Sequence, residues 1–159
     1  MIKRELYMNR IRPFIGGELI KVMTGIRRSG KSVMLELIKE ELAEAGVAPS
    51  QMISINFEDM RYSHLQTATA LHDEIIKRAE GIEGKAYLFF DEIQEVEGWE
   101  KCVNSLRVAL DCDIYITGSN AKLLSGELAT YIGGRYVEFV IYPFSFAEFL
   151  ELYHTIEPS

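Results

Sequence analysis

The sequence predicts an α/β fold of three layers, in which helices cover both faces of a five-stranded, mostly parallel sheet. Two observations lead to this prediction. Short β-type runs alternate with helical patterns along nearly all of the 159 residues, and parallel strands need such helical crossovers between them. In addition, residues 86–90 are apolar without alternation, as expected of a central strand that helices cover on both faces.

From the amino terminus to residue 79, the spacing of apolar residues alternates between helix and strand. Residues 2–15 predict a short helix followed by a turn, and residues 19–24 form an apolar, partly β-branched run that is typical of a strand. Apolar side chains then recur three and four positions apart over residues 34–42, which predicts the first crossover helix. Residues 52–57 alternate as a second strand, and residues 71–79 return to helical spacing.

After the central strand, the same alternation continues. Trp99 and the apolar residues that follow it lie on one helical face, so residues 98–110 are predicted as an amphipathic helix with Trp99 in the core. Residues 113–117 predict the fourth strand and residues 136–142 the fifth, with a helix over residues 123–128 between them. A capping pattern beyond the fifth strand predicts a last helix with an aromatic stripe.

The loop between the first strand and the first crossover helix carries the strongest functional signal. Residues 25–32 read Gly-Ile-Arg-Arg-Ser-Gly-Lys-Ser, a complete G-x-x-x-x-G-K-[ST] pattern, and we call them the phosphate loop. Gly25 and Gly30 let the backbone approach an anion without a Cβ in the way. Lys31 supplies a mobile positive charge, and the hydroxyl of Ser32 can ligate Mg²⁺ at the helix N-terminus. The predicted nucleotide-binding residues are Gly25, Ile26, Arg27, Arg28, Ser29, Gly30, Lys31, Ser32 and Val33.

Polar residues also follow the third and fourth predicted strands. Because ligands of such sheets bind beyond the carboxyl ends of the strands, we expect these residues to share one site with the phosphate loop. Asp91 can hold the Mg²⁺ that bridges the β- and γ-phosphates. Glu92 can accept a hydrogen bond from a water aimed at the γ-phosphorus and so act as a general base. Ser119 and Asn120 are expected to contact the γ-phosphate or the attacking water.

Four arginines are candidates for contact with phosphate, and Arg107 is the weakest one because it lies on a predicted helix with an exposed polar face. Arg135 follows a glycine pair and is the best candidate for an arginine that stabilises the charge of phosphoryl transfer, although a structural ion pair is the alternative. Arg27 and Arg28 can face either phosphate or solvent. The catalytic candidates are therefore Glu92, Asn120, Ser119 and Arg135, and the candidate metal ligands are Ser32 and Asp91.

Composition indicates one globular domain and excludes several classes of protein. The chain is 48% hydrophobic with a mean hydropathy of +0.01, which is typical of a folded domain rather than a disordered one. No apolar stretch is long enough to cross a membrane and no secretory leader is evident, so we expect a cytoplasmic protein. A net charge of −7 does not favour nucleic-acid binding by this domain alone. The two cysteines lack zinc or disulfide spacing.

The motifs together resemble those of the prokaryotic AAA-type ATPases of the AAA superfamily. The resemblance covers residues 23–32, 88–94 and 116–120, and also Gly134-Arg135 and residues 142–149. It implies a P-loop NTPase fold of the ASCE/AAA type that binds ATP and Mg²⁺, with the residue roles given above. Members of this family usually continue into a C-terminal region with winged-helix-like or nuclease-like parts. Residues 1–159 are therefore expected to be a single ATPase core without that region.

The leading hypothesis is a Mg²⁺-dependent ATPase core that couples hydrolysis to a conformational change in an attached region or a protein partner. Two alternatives stay open at the level of sequence. One is a regulatory module that binds ATP or ADP with negligible turnover, and the other is a P-loop kinase that phosphorylates a small molecule. Glu92 beside Asp91 suits activation of water better than it suits a kinase. The oligomeric state is not indicated.

Overall fold

The computed structural model describes residues 4–26, 28–119, 123 and 131–143. Its centre is one sheet of five strands in the order β2-β3-β4-β1-β5. The strands are β1 (Ile20–Thr24), β2 (Met52–Asn56), β3 (Ala86–Asp91), β4 (Cys112–Gly118) and β5 (Tyr136–Val140). Every pair of neighbouring strands is parallel. The sheet is therefore fully parallel in the described residues, whereas the sequence predicted only a mostly parallel one.

The α-helices whose bounds fall within the described residues are α1 (Glu5–Ile11), α2 (Lys31–Glu44), α3 (Ala68–Ala79) and α4 (Trp99–Ala109). Short 3-10 turns occupy Arg12–Phe14, Pro49–Gln51, Met60–Leu65 and Ile93–Glu95. The α/β alternation predicted from apolar spacing is confirmed for these elements. The helices predicted over residues 123–128 and beyond residue 143 lie, apart from Leu123, outside the described residues.

The helices form two layers, one on each face of the sheet. On one face, α1 and α2 pack on alternate strand residues to form a core that includes Met8, Ile11, Met34, Ile38, Met23, Phe89, Tyr115 and Phe139. On the other face, α3 and α4 build a second core that includes Leu71, Ile75, Trp99, Val103, Leu106, Val22, Leu88, Phe90 and Ile116. Both faces of β3 are covered, which is the reason for its continuous apolar run.

Two details show how tightly the layers fit. The Trp99 side chain is only 3% exposed, as the predicted role of a packing anchor requires. On the opposite face, the rings of Phe89 and Tyr115 stack with their centroids 4.9 Å apart and their planes at 7°. Burial of large aromatic side chains at this level stabilises a fold by about 1.5–3 kcal/mol each.

Parallel topology brings the carboxyl ends of all the strands to one edge of the sheet. The carboxyl end of β1 leads into the phosphate loop, β3 ends at Asp91, and β4 ends at Gly118, which pairs with Thr24. We call this the carboxyl edge, and the opposite side the amino edge. The described helices include none with the length and apolar character that a bilayer crossing requires.

Candidate functional site

The phosphate loop is shaped so that its backbone amides are open to an anion. Gly30 has a φ of 93° and is the N-cap residue of α2, and as a glycine it has no side chain that could cap the first turn of that helix. The first N–H groups of an uncapped helix have no intrahelical acceptor, so they are available to phosphate oxygens. At the other end of the loop, a Cβ on Gly25 would lie 2.3 Å from the carbonyl oxygen of Ile141. Only glycine fits at this point.

A cavity of about 320 Å³ opens over this loop. Every residue from Arg28 to Val33 lines it, together with Glu58 and Glu92. This volume is within the range of small-molecule sites in proteins. The charged groups that line it come from three different segments of the chain, which only the fold brings together.

Lys31 is the buried cation of the site. Its side chain is 6% exposed, and Nζ donates to the carbonyl oxygen of Gly25 at 2.7 Å and to that of Ile26 at 3.4 Å. The same Nζ lies 3.7 Å from Oε2 of Glu92. The ammonium group thus lies inside its own loop, within reach of anything that binds between α2 and Glu92.

Asp91 receives hydrogen bonds from two hydroxyl groups. The Ser32 hydroxyl donates to Oδ2 at 2.5 Å, and the Thr117 hydroxyl donates to Oδ1 at 2.5 Å. Hydroxyl and carboxylate oxygens are the protein ligands that Mg²⁺ prefers. The close approach of Ser32 and Asp91, from two different elements, therefore fits a Mg²⁺ ion at this point.

Glu92 is held in an unusual conformation. Its φ and ψ are 58° and 51°, and its backbone N–H donates to the hydroxyl of Thr117 at 2.9 Å. Burial raises the pKa of the Glu92 carboxyl, while Lys31 and a weak hydrogen bond from Gln94 at 3.4 Å oppose this shift. Its Oε2 is buried and accepts no hydrogen bond from the described residues. The carboxyl group is therefore available to a water molecule or a ligand in the cavity.

The structure brings most of the predicted site residues together at the carboxyl edge. Lys31, Ser32 and Glu92 line the cavity, and Asp91 is bonded to Ser32. Ser119 directly follows the end of β4 at the same edge. The Ile26 side chain is 65% exposed, so only its backbone faces Lys31. The predicted positions Arg27 and Asn120 lie outside the described residues.

The structure places Arg135, the predicted charge-stabilising arginine, away from the phosphate loop of its own chain. Its carbonyl oxygen accepts a hydrogen bond from the N–H of Ile20 at 2.9 Å, next to the first residue pair of β1 and β5. This is the amino edge, and the length of β1 alone separates it from the phosphate loop by about 13 Å. The sequence places Arg135 next to a glycine pair but does not reveal which edge of the sheet that turn occupies.

Sequence reasoning missed Thr117, which contacts both acids of the site. The available signal was a polar residue within the apolar run of the fourth strand, where a buried hydroxyl needs hydrogen-bond partners. Glu58, which lines the cavity, and Gln94, which donates to Glu92, were missed as well. Both follow strand ends, but neither belongs to a pattern of recognisable spacing.

Comparison with protein families and relatives agrees with this geometry. Residues 17–150 match the family described as AAA domain. An uncharacterized protein of Haemophilus influenzae is 48% identical over 150 residues, which cover 94% of this chain and 38% of that protein. An uncharacterized protein of Methanocaldococcus jannaschii is 40% identical over 149 residues, 88% of this chain and 32% of its own length. The chain thus spans about a third of the length of the curated relatives it matches.

Solved structures with the same fold include proteins of DNA metabolism. A DNA replication initiation factor has a TM-score of 0.61 at 14% identity, over 98% of this chain and 51% of that one. AMPPCP-bound DnaA from Aquifex aeolicus has a TM-score of 0.61 at 13% identity, and the match covers 99% of this chain and 52% of that one. The Thermotoga maritima RuvB Holliday junction branch migration motor has a TM-score of 0.54 at 14% identity, and the match covers 87% of this chain and 43% of that one. At these identities the likeness shows the fold alone.

Proposed function

The chain belongs to the AAA domain family, as an AAA-superfamily P-loop ATPase core, and from this premise we propose that it binds ATP with Mg²⁺ and hydrolyses the γ-phosphate. In this proposal, hydrolysis changes the conformation of another region of the full-length protein or of a protein partner. The observation that carries the proposal is the convergence of Lys31, Ser32, Asp91 and Glu92 on one edge of the sheet.

Nucleotide binding is supported by the groups that surround the cavity. The open N–H groups at the start of α2 and the ammonium of Lys31 are all donors, and together they suit a polyphosphate. Lys31 now donates to carbonyl oxygens of its own loop. Phosphate oxygens are stronger acceptors than neutral carbonyls, so a bound triphosphate replaces these bonds.

The proposed metal site consists of Ser32 and Asp91, whose oxygens already lie in contact. These two oxygens would hold a Mg²⁺ ion, which would supply positive charge to neutralise the phosphate oxygens. The hydroxyl of Thr117 holds the other oxygen of Asp91. The orientation of Asp91 is therefore fixed by the protein before any ligand binds.

Glu92 is proposed as the general base. Its carboxyl group borders the cavity, and its Oε2 accepts no hydrogen bond from the described residues. In its ionised form this oxygen can accept a hydrogen bond from a water molecule, direct it toward the γ-phosphorus and take up its proton. Such assistance typically accelerates a reaction by about 10²- to 10⁴-fold.

Single-turnover hydrolysis tests this proposal. The unsubstituted chain, mixed in excess with ATP and Mg²⁺, is expected to release phosphate, and the Glu92→Gln variant is expected to bind ATP with a hydrolysis rate lower by about 10²-fold or more. Glu95→Gln is the matched control, because Glu95 is exposed and only three residues away. Phosphate release by Glu92→Gln at the unsubstituted rate would contradict the assignment.

Binding is tested separately with Lys31→Ala. The substitution removes the charge that offsets repulsion between phosphates, so the affinity for ATP by calorimetry is expected to fall by about ten- to a hundredfold. Lys39→Ala is the control, since Lys39 lies on the same helix but bonds to Glu36 and Ser54 instead. Equal ATP affinity in the Lys31→Ala variant would refute the proposed phosphate site.

One observation favours the alternative of a regulatory module that holds nucleotide without turning it over. Oε2 of Glu92 lies 3.7 Å from Nζ of Lys31, so in this conformation the carboxyl group faces a cation of the protein rather than an attacking water molecule. The same experiment separates the two hypotheses. Tight ATP binding without phosphate release indicates the regulatory module, and loss of ATP without free phosphate indicates transfer to another acceptor.

A further inference from the structure

A buried arginine outside every motif lies directly behind the phosphate loop. Arg4 is 8% exposed, and its Nη1 donates to the carbonyl oxygen of Ser29 at 2.6 Å. Its Nη2 donates to the carbonyl oxygen of Tyr142 at 2.5 Å. The guanidinium carbon also lies 4.8 Å from the centre of the Tyr7 ring. Arg4 thus joins three segments that are distant in sequence: the loop, the exit of β5, and α1.

The bond to Ser29 sets the direction of a neighbouring amide. The carbonyl of Ser29 and the N–H of Gly30 belong to one peptide unit, and in a trans peptide these two groups point in opposite directions. The structure contains no cis peptide bond among the described residues. Because Arg4 draws the Ser29 carbonyl toward itself, the Gly30 N–H is turned away from Arg4. Ser29 and Gly30 line the cavity, and Arg4 is absent from the described residues that do so.

Packing reinforces this orientation. A Cβ on Gly30 would lie 2.1 Å from Nη1 of Arg4, so the guanidinium group fills the space that glycine leaves. Gly30 itself has a φ of 93°, a conformation that glycine adopts without steric cost. The peptide between Ser29 and Gly30 therefore has little room to rotate while Arg4 is in place.

Arg4 also completes a set of contacts that supports both ends of the phosphate loop. At the start of the loop, the N–H of Ile141 donates to the carbonyl oxygen of Thr24 at 2.7 Å, and the Ile141 carbonyl packs against Gly25. At its end, Arg4 ties Ser29 to Tyr142. Two consecutive residues beyond β5 thus support both ends of the loop, and the second support depends on Arg4.

The choice of arginine follows from this geometry. Its planar fork presents donors to two carbonyl oxygens at once while the guanidinium carbon lies over an aromatic ring, whereas the single nitrogen of lysine cannot span both oxygens in the same way. The backbone of Arg4 is in the left-handed region with a φ of 51°. A non-glycine residue keeps such a conformation only when its surroundings fix it.

We propose that Arg4 is a positioning residue of the nucleotide site: by bridging the carbonyls of Ser29 and Tyr142, it aims the Gly30 N–H at the bound phosphates. This inference rests on the proposed function for the identity of the ligand. It also makes the phosphate loop responsive to residues 141–143, because a displacement of the Tyr142 carbonyl removes one of the two acceptors that hold Arg4.

The first test needs no ligand. Residual dipolar couplings report the direction of the Gly30 N–H bond in the nucleotide-free chain, and Arg4→Gln is expected to change this coupling while couplings in β1 and β4 stay the same. Arg10→Gln is the matched control, since Arg10 is an exposed residue of α1, the helix that directly follows Arg4. An unchanged Gly30 coupling in a folded Arg4→Gln chain overturns the proposal.

The second test measures binding of ADP by calorimetry, at a temperature well below the melting point of each variant. Arg4→Gln is expected to weaken ADP binding by about tenfold or more, the effect of losing one hydrogen bond to a charged group. Arg4→Lys, which keeps the charge, is expected to recover the melting temperature more fully than the affinity. A purely structural role predicts equal affinity once the chain is folded, and that result overturns the proposal.

The outcomes for the two proposals are distinguishable. If the unsubstituted chain binds neither ADP nor ATP, the proposed function fails, and the Gly30 coupling alone then supports or overturns the positioning role. If Arg4→Gln does not fold, Arg4→Lys takes its place in both measurements. A Gly30 coupling and an ADP affinity of Arg4→Lys equal to those of the unsubstituted chain then overturn the proposal.

Discussion

Glu92 shows at the scale of one residue how a position with a proposed catalytic role departs from the most stable arrangement. Its left-handed backbone costs about 1–2 kcal/mol for a residue other than glycine. Its carboxyl group is also largely withdrawn from water, which is the main reason for its raised pKa. The left-handed turn after Asp91 places the carboxyl group of Glu92 at the edge of the cavity. Departures of this kind are concentrated at functional sites.

The raised pKa gives a prediction on stability and pH. The pKa of Glu92 in the folded chain lies above the ordinary value of 4.5. The folded chain therefore loses stability as pH rises from 4.5 through the folded pKa, and at pH values above the folded pKa this loss is complete. Glu92→Gln removes this loss. The variant is therefore expected to melt at a higher temperature than the unsubstituted chain at pH 7, with a difference that shrinks as pH falls through the folded pKa and is smallest below 4.5.

Melting curves between pH 4 and pH 8 measure this difference, with Glu95→Gln as the exposed control. A Glu92→Gln chain that is less stable than the unsubstituted chain at pH 7 would show that the attraction of Lys31 outweighs the cost of burial. The general-base assignment is not affected by that result, because the rate of phosphate release tests it independently.

At the scale of elements, the ends of β3 and β4 are joined by one hydroxyl group. Thr117 donates to Asp91 and accepts from the N–H of Glu92, so a single side chain orients both acids. It is fully buried at the end of β4. Parallel neighbours in register bring these strand ends side by side, and the register pairs Phe90 with Ile116. The link is therefore a consequence of strand order, which places β4 next to β3.

Thr117→Val is expected to break this link with little change in volume. It leaves the buried N–H of Glu92 without its acceptor, so the free energy of unfolding is expected to fall by about 1–3 kcal/mol. Misplacement of the two acids is expected to lower the single-turnover rate of ATP hydrolysis by about 10- to 100-fold.

Thr117→Ser is the matched control, since serine keeps the hydroxyl and loses only a methyl group. Denaturant unfolding and phosphate release are measured on both variants. A Thr117→Val chain with the rate of Thr117→Ser would mean that the two acids are oriented without this hydroxyl.

At the scale of the whole molecule, the proposed site and a buried ion pair lie toward opposite edges of the sheet. The carboxyl edge carries the proposed chemistry. Near the amino edge, a buried ion pair joins Lys21 of β1 to Asp113 of β4, and both side chains are completely inaccessible to solvent. Asp113 also accepts from the Tyr115 hydroxyl at 2.5 Å and from the N–H of Gly16 at 2.8 Å. Burial lowers the pKa of Lys21, while Asp113 opposes that shift.

This separation predicts a variant that affects stability without affecting binding. Lys21→Met leaves the carboxylate of Asp113 buried without its cation, which is expected to lower the free energy of unfolding by about 3–5 kcal/mol. ATP affinity is expected to stay the same at temperatures where the variant is folded, because Lys21 lies toward the opposite edge from the phosphate loop. Denaturant unfolding and calorimetry measure the two quantities. A folded Lys21→Met chain with tenfold weaker ATP binding would show that the edges are coupled.

The sequence by itself determined the three-layer alternation, the fully covered strand β3 and the phosphate loop. These features depend on local spacing: apolar periodicity reports which faces are buried, and the loop requires particular residues at consecutive positions. Local spacing also allowed the sequence to place Asp91 and Glu92 at the end of a strand. Their proximity to Lys31 followed from the rule that parallel strands end at one edge.

Only the tertiary structure decided the strand order, and with it the roles of Thr117, Arg4 and Arg135. Thr117 reaches both acids because β4 adjoins β3, and Arg4 reaches Ser29 because α1 returns to the back of the loop. Arg135 lies away from the phosphate loop of its own chain because β5 begins at the amino edge. Contacts between residues 25 to more than 100 positions apart leave no periodic trace in a single sequence, since each depends on where the whole chain packs.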